Sequence, residues 1–352
     1  MKDKIVDFLL KDKIVFPLIS VGVAFLIAII VILLAGLNPF VAIGSMIVGA
    51  LGSKEAILNT LTKMTPLILT GLSVAFAFRA GLFNIGAEGQ MAMGGIFSVI
   101  FSIFAVGIPM YLAIPIALLI GAFAGGIWGG IAGYLKAKTG AHEVVSTIML
   151  NSIAVYIGSY LVTGPLQAPG TGQPKTPEIL GAAKLPDIIT GSTVSLSSGF
   201  VVAILMAVVI YIVIDKTTIG YEIKGVGFNP YASEYAGISI SKNVVLAMFI
   251  SGALAGMAGA VEAMSIHYRF LGALSSGKGF DGISVALLGQ NNPIGVIFSA
   301  FLFAVLYAGG NNMQLMGIPK DIVVIIQGIV IFMVASDRLM KSLISIKRRK
   351  QR

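Results

Sequence analysis

The sequence predicts an all-α polytopic membrane protein, and three observations predict it. Hydrophobic residues make up 57% of the 352-residue chain and charged residues only 11%. Mean hydropathy is +0.97, outside the range of an ordinary soluble domain. Charge-free runs of the length that crosses a bilayer, roughly 20 apolar residues, recur along the whole chain. One helical bundle accounts for residues 1–352 as a single transmembrane domain.

The first span is 14–36. It is too long for a signal-peptide core and lacks a small-residue cleavage site, so it is retained. Residues 40–51 then form a short interfacial or outer segment. The second span, 64–78, is closed by Arg79. No charge falls between Glu88 and Lys136, which leaves room for spans at 90–107 and 110–135 with a turn at Gly107-Ile108-Pro109. Spans at 144–162, 200–214 and 243–261 follow. The charge-free run 282–319 is interrupted by Asn291-Asn292-Pro293, and Asn311, Asn312 and Gln314 read as a turn between spans. The last span is 322–335.

Basic residues set the orientation. Much of the formal charge of +9 sits at the ends, in Lys2, Lys4, Lys11 and Lys13 and in the tail 337–352. Such flanks mark the cytoplasmic side and are no signature of nucleic-acid binding. With both termini, Lys136 and Lys138 inside, the number of crossings is even. About ten are expected, one of them a short or broken helix at 283–289.

Two hydrophilic segments stand out. Residues 164–199, with Pro165, Pro169, Pro174, Pro177 and Pro186, form an extracytoplasmic loop in which proline forbids a helix, leaving a cap, a partner surface or a connector. Residues 215–242 are cytoplasmic and contain a complete short helix. Asn229 is its N-cap, Pro230 its first residue and Gly237 its left-handed end. Tyr231, Glu234 and Tyr235 share one face with Ile238. A helix of two turns is marginal alone. It either docks in a groove of a soluble partner or rests on its own bundle.

The stretch 79–95, RAGLFNIGAEGQMAMGG, organises the rest. It sets Arg79, Asn84, Glu88 and Gln90 among five glycines between hydrophobic runs. Polar, irregular backbone at membrane depth is tolerated only inside protein or along a watery cavity, so these residues read as functional. The competing reading is a small-residue helix interface with Arg79 snorkelling outward. Glycine clusters at 121–130 and 251–260 are helix-packing faces.

Residues 71–95, 140–151 (GAHEVVSTIMLN) and 277–295 (GKGFDGISVALLGQNNPIG) resemble the signatures of inner-membrane permeases of ATP-binding-cassette importers. The branch is the one that handles branched-chain amino acids, ribose and nucleosides, and the likeness is strongest to nucleoside permeases that work with a basic-membrane-protein lipoprotein. The resemblance covers about residues 50–336. It implies nucleoside uptake by alternating access, with a sugar or branched-chain amino acid as the alternative cargo. It also implies three partners: an ATP-binding subunit, a second related permease and an extracytoplasmic substrate-binding lipoprotein. The coupling helix of this family falls at 229–237. No GxxxxGK[ST] phosphate loop occurs, so ATP and Mg are expected on the partner ATPase, with no cofactor on this chain and no enzymatic activity.

Phe83, Asn84, Glu88, Gln90 and Asn151 are the candidate substrate-pathway residues, since a nucleoside asks for amides and a stacking ring. For Asn151 an interhelical hydrogen bond competes. Glu143, beside His142, suits the first-turn dipole of its span. Glu262, His267, Arg269, Lys278 and Asp281 read as interfacial ion pairs, or as a gate or docking site. The absence of cysteine excludes disulfides and thiolate metal sites, and two histidines exclude a histidine-rich centre. An ion-coupled secondary transporter is the rival, because buried acids and broken helices suit it too. An intramembrane enzyme finds no H-E-x-x-H or G-x-S-x-G motif to use.

Overall fold

The computed structural model of the chain describes residues 15–170, 172–272 and 277–335. The basic N-terminal segment and the tail 337–352 lie outside the described residues. The architecture is helical apart from one two-stranded hairpin. Seven helices among the described residues are long and apolar enough to cross a membrane. Two compact units divide the chain, 1–60 with 301–352 and 61–300.

In the first unit, α1 (Val15–Leu34) packs along α13 (Lys320–Ala335). Ala28, Ile32, Ile322 and Ile326 form its core with Leu306 and Met313 from the end of α12 (Pro293–Leu315). Residues 40–51, expected as a short interfacial or outer segment, are helical. They belong to α2 (Pro39–Leu51), started by Asn38, whose Oδ1 accepts from the Phe40 amide at 2.9 Å. Ala42, Ser45 and Met46 are buried, and Asn312 donates its Nδ2 to the Ser45 carbonyl at 2.7 Å. Asn311, Asn312 and Gln314 therefore lie inside α12, not in a turn. The chain turns one step later, at Gly317, with φ of +79°.

The second unit is built on three helices crossing at backbone distance: α4 (Ala87–Phe104), α5 (Met110–Thr139) and α10 (Ile240–Glu262). A methyl group added to Gly256 would meet the backbone of Gly121 and Gly125, and one added to Gly94 would meet that of Gly256. No side chain separates the three axes, which is how helices gain van der Waals contact where lipid offers no hydrophobic drive. The turn at Gly107 (φ +77°) and Pro109 ends α4 and starts α5. α3 (Lys54–Arg79) starts ten residues before the expected span, with Glu55 in its first turn where the helix dipole favours an acid. α6 (Glu143–Thr163) and α7 (Gly199–Lys216) complete the long helices of this unit.

Between α6 and α7 the proline-rich segment is laid over helix ends. Thr176 and Ile179 donate backbone N–H groups to Phe270 (3.1 Å) and Tyr268 (2.9 Å), and Leu185 to Met264 (3.1 Å). Its hairpin pairs β1 (Asp187–Ile189) antiparallel with β2 (Leu196–Ser197). The segment is thus a cap with its own hydrogen bonds.

The cytoplasmic loop of the sequence reading holds two helices instead of one. α8 (Thr218–Phe228) precedes α9 (Pro230–Tyr235). Thr217 starts α8 by accepting from the Gly220 amide at 3.2 Å. The last short helix, α11 (Lys278–Leu288), has 11 residues, too few to cross a bilayer, and stands where the broken helix was expected.

Candidate functional site

α3 ends at Arg79, and Gly81 supplies the left-handed turn, φ +71°, that sends the chain back into the bundle. Residues 82–85 run without regular structure, and α4 starts at Ala87. The junction lies beside the middle of α10, because Asn84 donates to Ser251 Oγ at 2.8 Å and Ser251 is about 16 Å from either end of that helix at 1.5 Å per residue. α4 therefore starts beside the middle of α10, with its N-terminus buried among the helices of this unit.

The amides of the junction bond one another. Asn84 Nδ2 donates to Gln90 Oε1 at 2.8 Å, and Gln90 Nε2 returns a bond to Asn84 Oδ1 at 3.1 Å. The Gly86 amide also donates to Asn84 Oδ1, at 2.9 Å. Ser251 Oγ donates onward to the Ser73 carbonyl at 2.7 Å, joining α3 and α10. From α6, Asn151 accepts from the Gly89 amide at 2.8 Å and donates to the Ile85 carbonyl at 2.9 Å. Asn84, Gln90 and Asn151 are buried, as their saturation requires. Phe83 is half-buried and meets Phe78 edge-on, ring centroids 5.0 Å apart. The structure brings all four together at one junction, and adds Ser73 and Ser251, which no local signal in the sequence announced.

Glu88 lies in the first turn of α4 and caps a different helix. Its Oε1 and Oε2 accept from the Gly277 and Gly279 amides, both at 2.8 Å, at the start of α11. A carboxylate there satisfies orphan N–H groups and opposes the positive end of the helix dipole. From this cap α11 runs beside α3, and Arg79 Nε donates to the Asn291 carbonyl at 3.0 Å. Asn291 itself is in the left-handed region, φ 54°. The starts of α4 and α11 thus meet through one acid.

Of the five charges read as interfacial ion pairs, or as a gate or docking site, Glu262, His267 and Lys278 come together and Arg269 pairs elsewhere. Glu262, fully buried at the end of α10, pairs with Lys278 and lies 3.3 Å from His267 Nε2. Arg269 pairs instead with Glu178 of the cap at 3.2 Å, and Lys184 bonds the same carboxylate. That bond holds the Glu178 carboxyl below its ordinary range, and Tyr268, half-buried beside it with Lys184 over its ring, is pushed up by burial. Asp281 is in the first turn of α11. Glu143 starts α6 and pairs with Lys136 at 2.9 Å.

At the other end of α10 stand α8 and α9. Asn243 ties α10 to α8 by donating to Glu222 at 3.0 Å. Asn229 Oδ1 accepts from the Ala232 amide at 3.1 Å, and Pro230 holds the first position. The Gly237 amide donates to Glu234 O (2.9 Å) and the Ile238 amide to Ser233 O (2.9 Å), with Gly237 at φ +82°. This is a Schellman end, in which two otherwise orphan carbonyls find donors. Ser233 faces α8, while Tyr231 and Tyr235 are 82% and 98% exposed. Glu234 is exposed beside them. Gly227 of α8 sits against the turn at the end of α3: a methyl group added to it would meet the Arg79 carbonyl and the backbone of Ala80 and Gly81.

Among the described residues, no three acidic or histidine side chains gather as a metal ion would need. The polar groups of the junction instead hold helix ends, and the exposed aromatics of α9 offer a surface.

Residues 56–335 match the family model described as the branched-chain amino acid transport system permease component. The chain is 40% identical, over 91% of its length and 92% of the relative's, to the guanosine ABC transporter permease protein NupP of Bacillus subtilis. It is also 40% identical to the nucleoside ABC transporter permease protein NupB of Lactococcus lactis, over 92% of this chain and 91% of that one. A glucose ABC transporter permease protein of Haloferax volcanii is 34% identical over 91% of this chain and 87% of its own. No solved structure matches the chain.

Proposed function

The chain belongs to the permease-component family of branched-chain amino acid transport systems, and from that premise we propose that it is the transmembrane permease subunit of an ATP-binding-cassette importer that takes up nucleosides. The observation that carries the cargo is 40% identity, across nine-tenths of both chains, to two permeases named for guanosine and for nucleosides. A sugar is the second reading, favoured by the glucose permease at 34%.

In this reading the protein sits in the cytoplasmic membrane as one permease domain, with about ten crossings and both termini inside. Residues 164–199 face outward toward a substrate-binding lipoprotein, and 215–242 and the basic tail face the cytoplasm. A second, related permease completes the pathway. ATP and Mg bind the separate ATPase, which docks on α9 through Tyr231, Glu234 and Tyr235. Asn229, Pro230 and Gly237 hold that helix in shape. Exposed tyrosines on a helix fixed at both ends support this role, since Tyr supplies contact area at low entropic cost.

The work cycle is alternating access. Closure of the ATPases moves α9 and α8, and the contact of Gly227 with the α3 turn passes that movement toward the junction of α4 and α11. Energy enters as the different affinity of nucleotide for the two states. The substrate path runs past Phe83, with Asn84, Glu88, Gln90 and Asn151 shaping its wall.

Uptake of labelled guanosine by cells expressing the complete four-part system tests the reading. Uptake should require ATP, survive an uncoupler, and fall with excess unlabelled nucleoside but not with glucose or leucine. Competition by glucose alone transfers the cargo to sugars. Uptake by this chain without an ATPase, driven by an ion gradient, ends the importer reading.

A further inference from the structure

The buried acid Glu262 is only half used. Lys278 Nζ and His267 Nε2 both bond its Oε1. Its Oε2 is equally enclosed, yet has no hydrogen-bond partner among the described residues. A buried carboxylate oxygen without a donor is costly, and such groups persist where something else supplies the donor.

The surroundings narrow what that donor is. Lys278, the first residue of α11, is bonded to Oε1, and the flanking amides of its helix are taken by Glu88. The helix dipole is already met by Glu88, so an anion is not called for at the N-terminus. What Oε2 lacks, among the described residues, is a hydrogen-bond donor. Lys278 adds N–H groups for a ligand's acceptor oxygens, and its side chain is not fully buried. A sugar vicinal diol meets these demands, because each hydroxyl donates once and accepts once.

Resting on the nucleoside reading, we propose that Glu262, with Lys278, is the subsite of this permease that holds the ribose hydroxyls of its substrate, Oε2 accepting from the diol. The group stands at the opposite end of α10 from α8 and α9, about 33 Å along the axis for a helix of this length. It belongs to the end of the path where the cap of residues 164–199 lies. Oε2 is enclosed in this conformation, so the proposal requires that the bundle open there during the transport cycle.

The test uses the purified assembly of this chain with its sister permease and ATPase, without the lipoprotein, so that binding reports on the permease alone. Guanosine and dideoxyguanosine, which lacks both ribose hydroxyls, are the probes. Glu262→Gln should weaken guanosine binding by about tenfold or more, as loss of a charge-assisted hydrogen bond does, and leave dideoxyguanosine binding unchanged. Equal loss for both probes, loss for neither, or no binding of guanosine by the unsubstituted assembly overturns the subsite. Glu262→Asp, which keeps the charge but withdraws the carboxylate by one methylene, replaces the Gln variant if that variant does not assemble, with the same outcomes. Failure of the nucleoside reading shows separately, as absence of guanosine uptake by cells carrying the full unsubstituted system.

Discussion

Glu88 caps a helix 191 residues away in sequence, accepting the Gly279 amide on Oε2 at 2.8 Å. The bond ties the start of α4 to the start of α11. Glu88→Gln keeps the size but offers one acceptor where two are used, and removes the charge that faces the dipole. The variant should lose about 1–3 kcal/mol of stability, seen as a lower unfolding temperature of the purified assembly, with uptake reduced in step. Unchanged stability and uptake would show that the cap is dispensable.

Gly227→Ala puts a methyl group into the Arg79 carbonyl, which is backbone and has no rotamer to give. Overpacking of this kind costs about 1–3 kcal/mol. Transport should fall by about tenfold or more while the ATPase still binds. Nucleotide hydrolysis persisting without uptake is the signature to look for. Intact transport would show that the contact carries no movement.

The ends of α9 are separately testable. Asn229→Ala removes the bond to the Ala232 amide and should cost about 1 kcal/mol locally. Gly237→Val forces a branched side chain to φ +82° and should cost about 1–2 kcal/mol. Both should weaken ATPase co-purification without altering assembly of the remaining helices. Glu234→Arg leaves the helix intact and reverses the charge of its exposed face. It should abolish uptake, and normal uptake would argue against docking there.

Asn84→Ala takes a partner from three groups: Gln90 and the Gly86 amide are orphaned, while Ser251 keeps its bond to the Ser73 carbonyl. Each buried orphan costs about 1–3 kcal/mol, so this variant should be the least stable of the set by thermal unfolding. A mild effect would mean that water enters the junction.

The cap gives a pH signature. The Glu178 carboxyl is held below its ordinary range, first by its bond to Lys184. A depressed acid contributes stability above its unfolded pKa and loses it as pH falls through the folded one. Protection of the Thr176 and Ile179 amides against hydrogen exchange, relative to the intrinsic rate at each pH, should therefore hold at neutral pH and be lost only below the ordinary glutamate range, about 4. Lys184→Met should move that loss to higher pH. No shift would mean that the pair does not hold the cap.

Local features of this fold were legible in the sequence because their causes are local. Asn229, Pro230 and Gly237 each have a conformational preference that acts within a few residues, and α9 forms between them. Gly107 and Pro109 mark the turn between α4 and α5 for the same reason. Arg79 marks the end of α3, but its start lies ten residues before the apolar run 64–78, in a turn that carries the charges of Lys54 and Glu55. α8 was missed because its glycines, Gly220, Gly225 and Gly227, lower helix propensity. They are there for close approach: Gly220 lies against the end of α7 and Gly227 against the turn after Arg79. The junction was legible as a place and not as a network. Asn84 announces polarity at depth, but its partner Ser251 is 167 residues on, in a helix whose other small residues all read as packing.

Where Gly94, Gly125 and Gly256 meet, three main chains touch with nothing between them. Rearrangement inside a protein normally proceeds by side chains exchanging rotamers, and here there are none to exchange. α4, α5 and α10 are consequently a fixed chassis. Whatever swings during a turnover pivots about that trio, and the elements free to do so are those fastened to it by polar bonds that break and remake at modest cost.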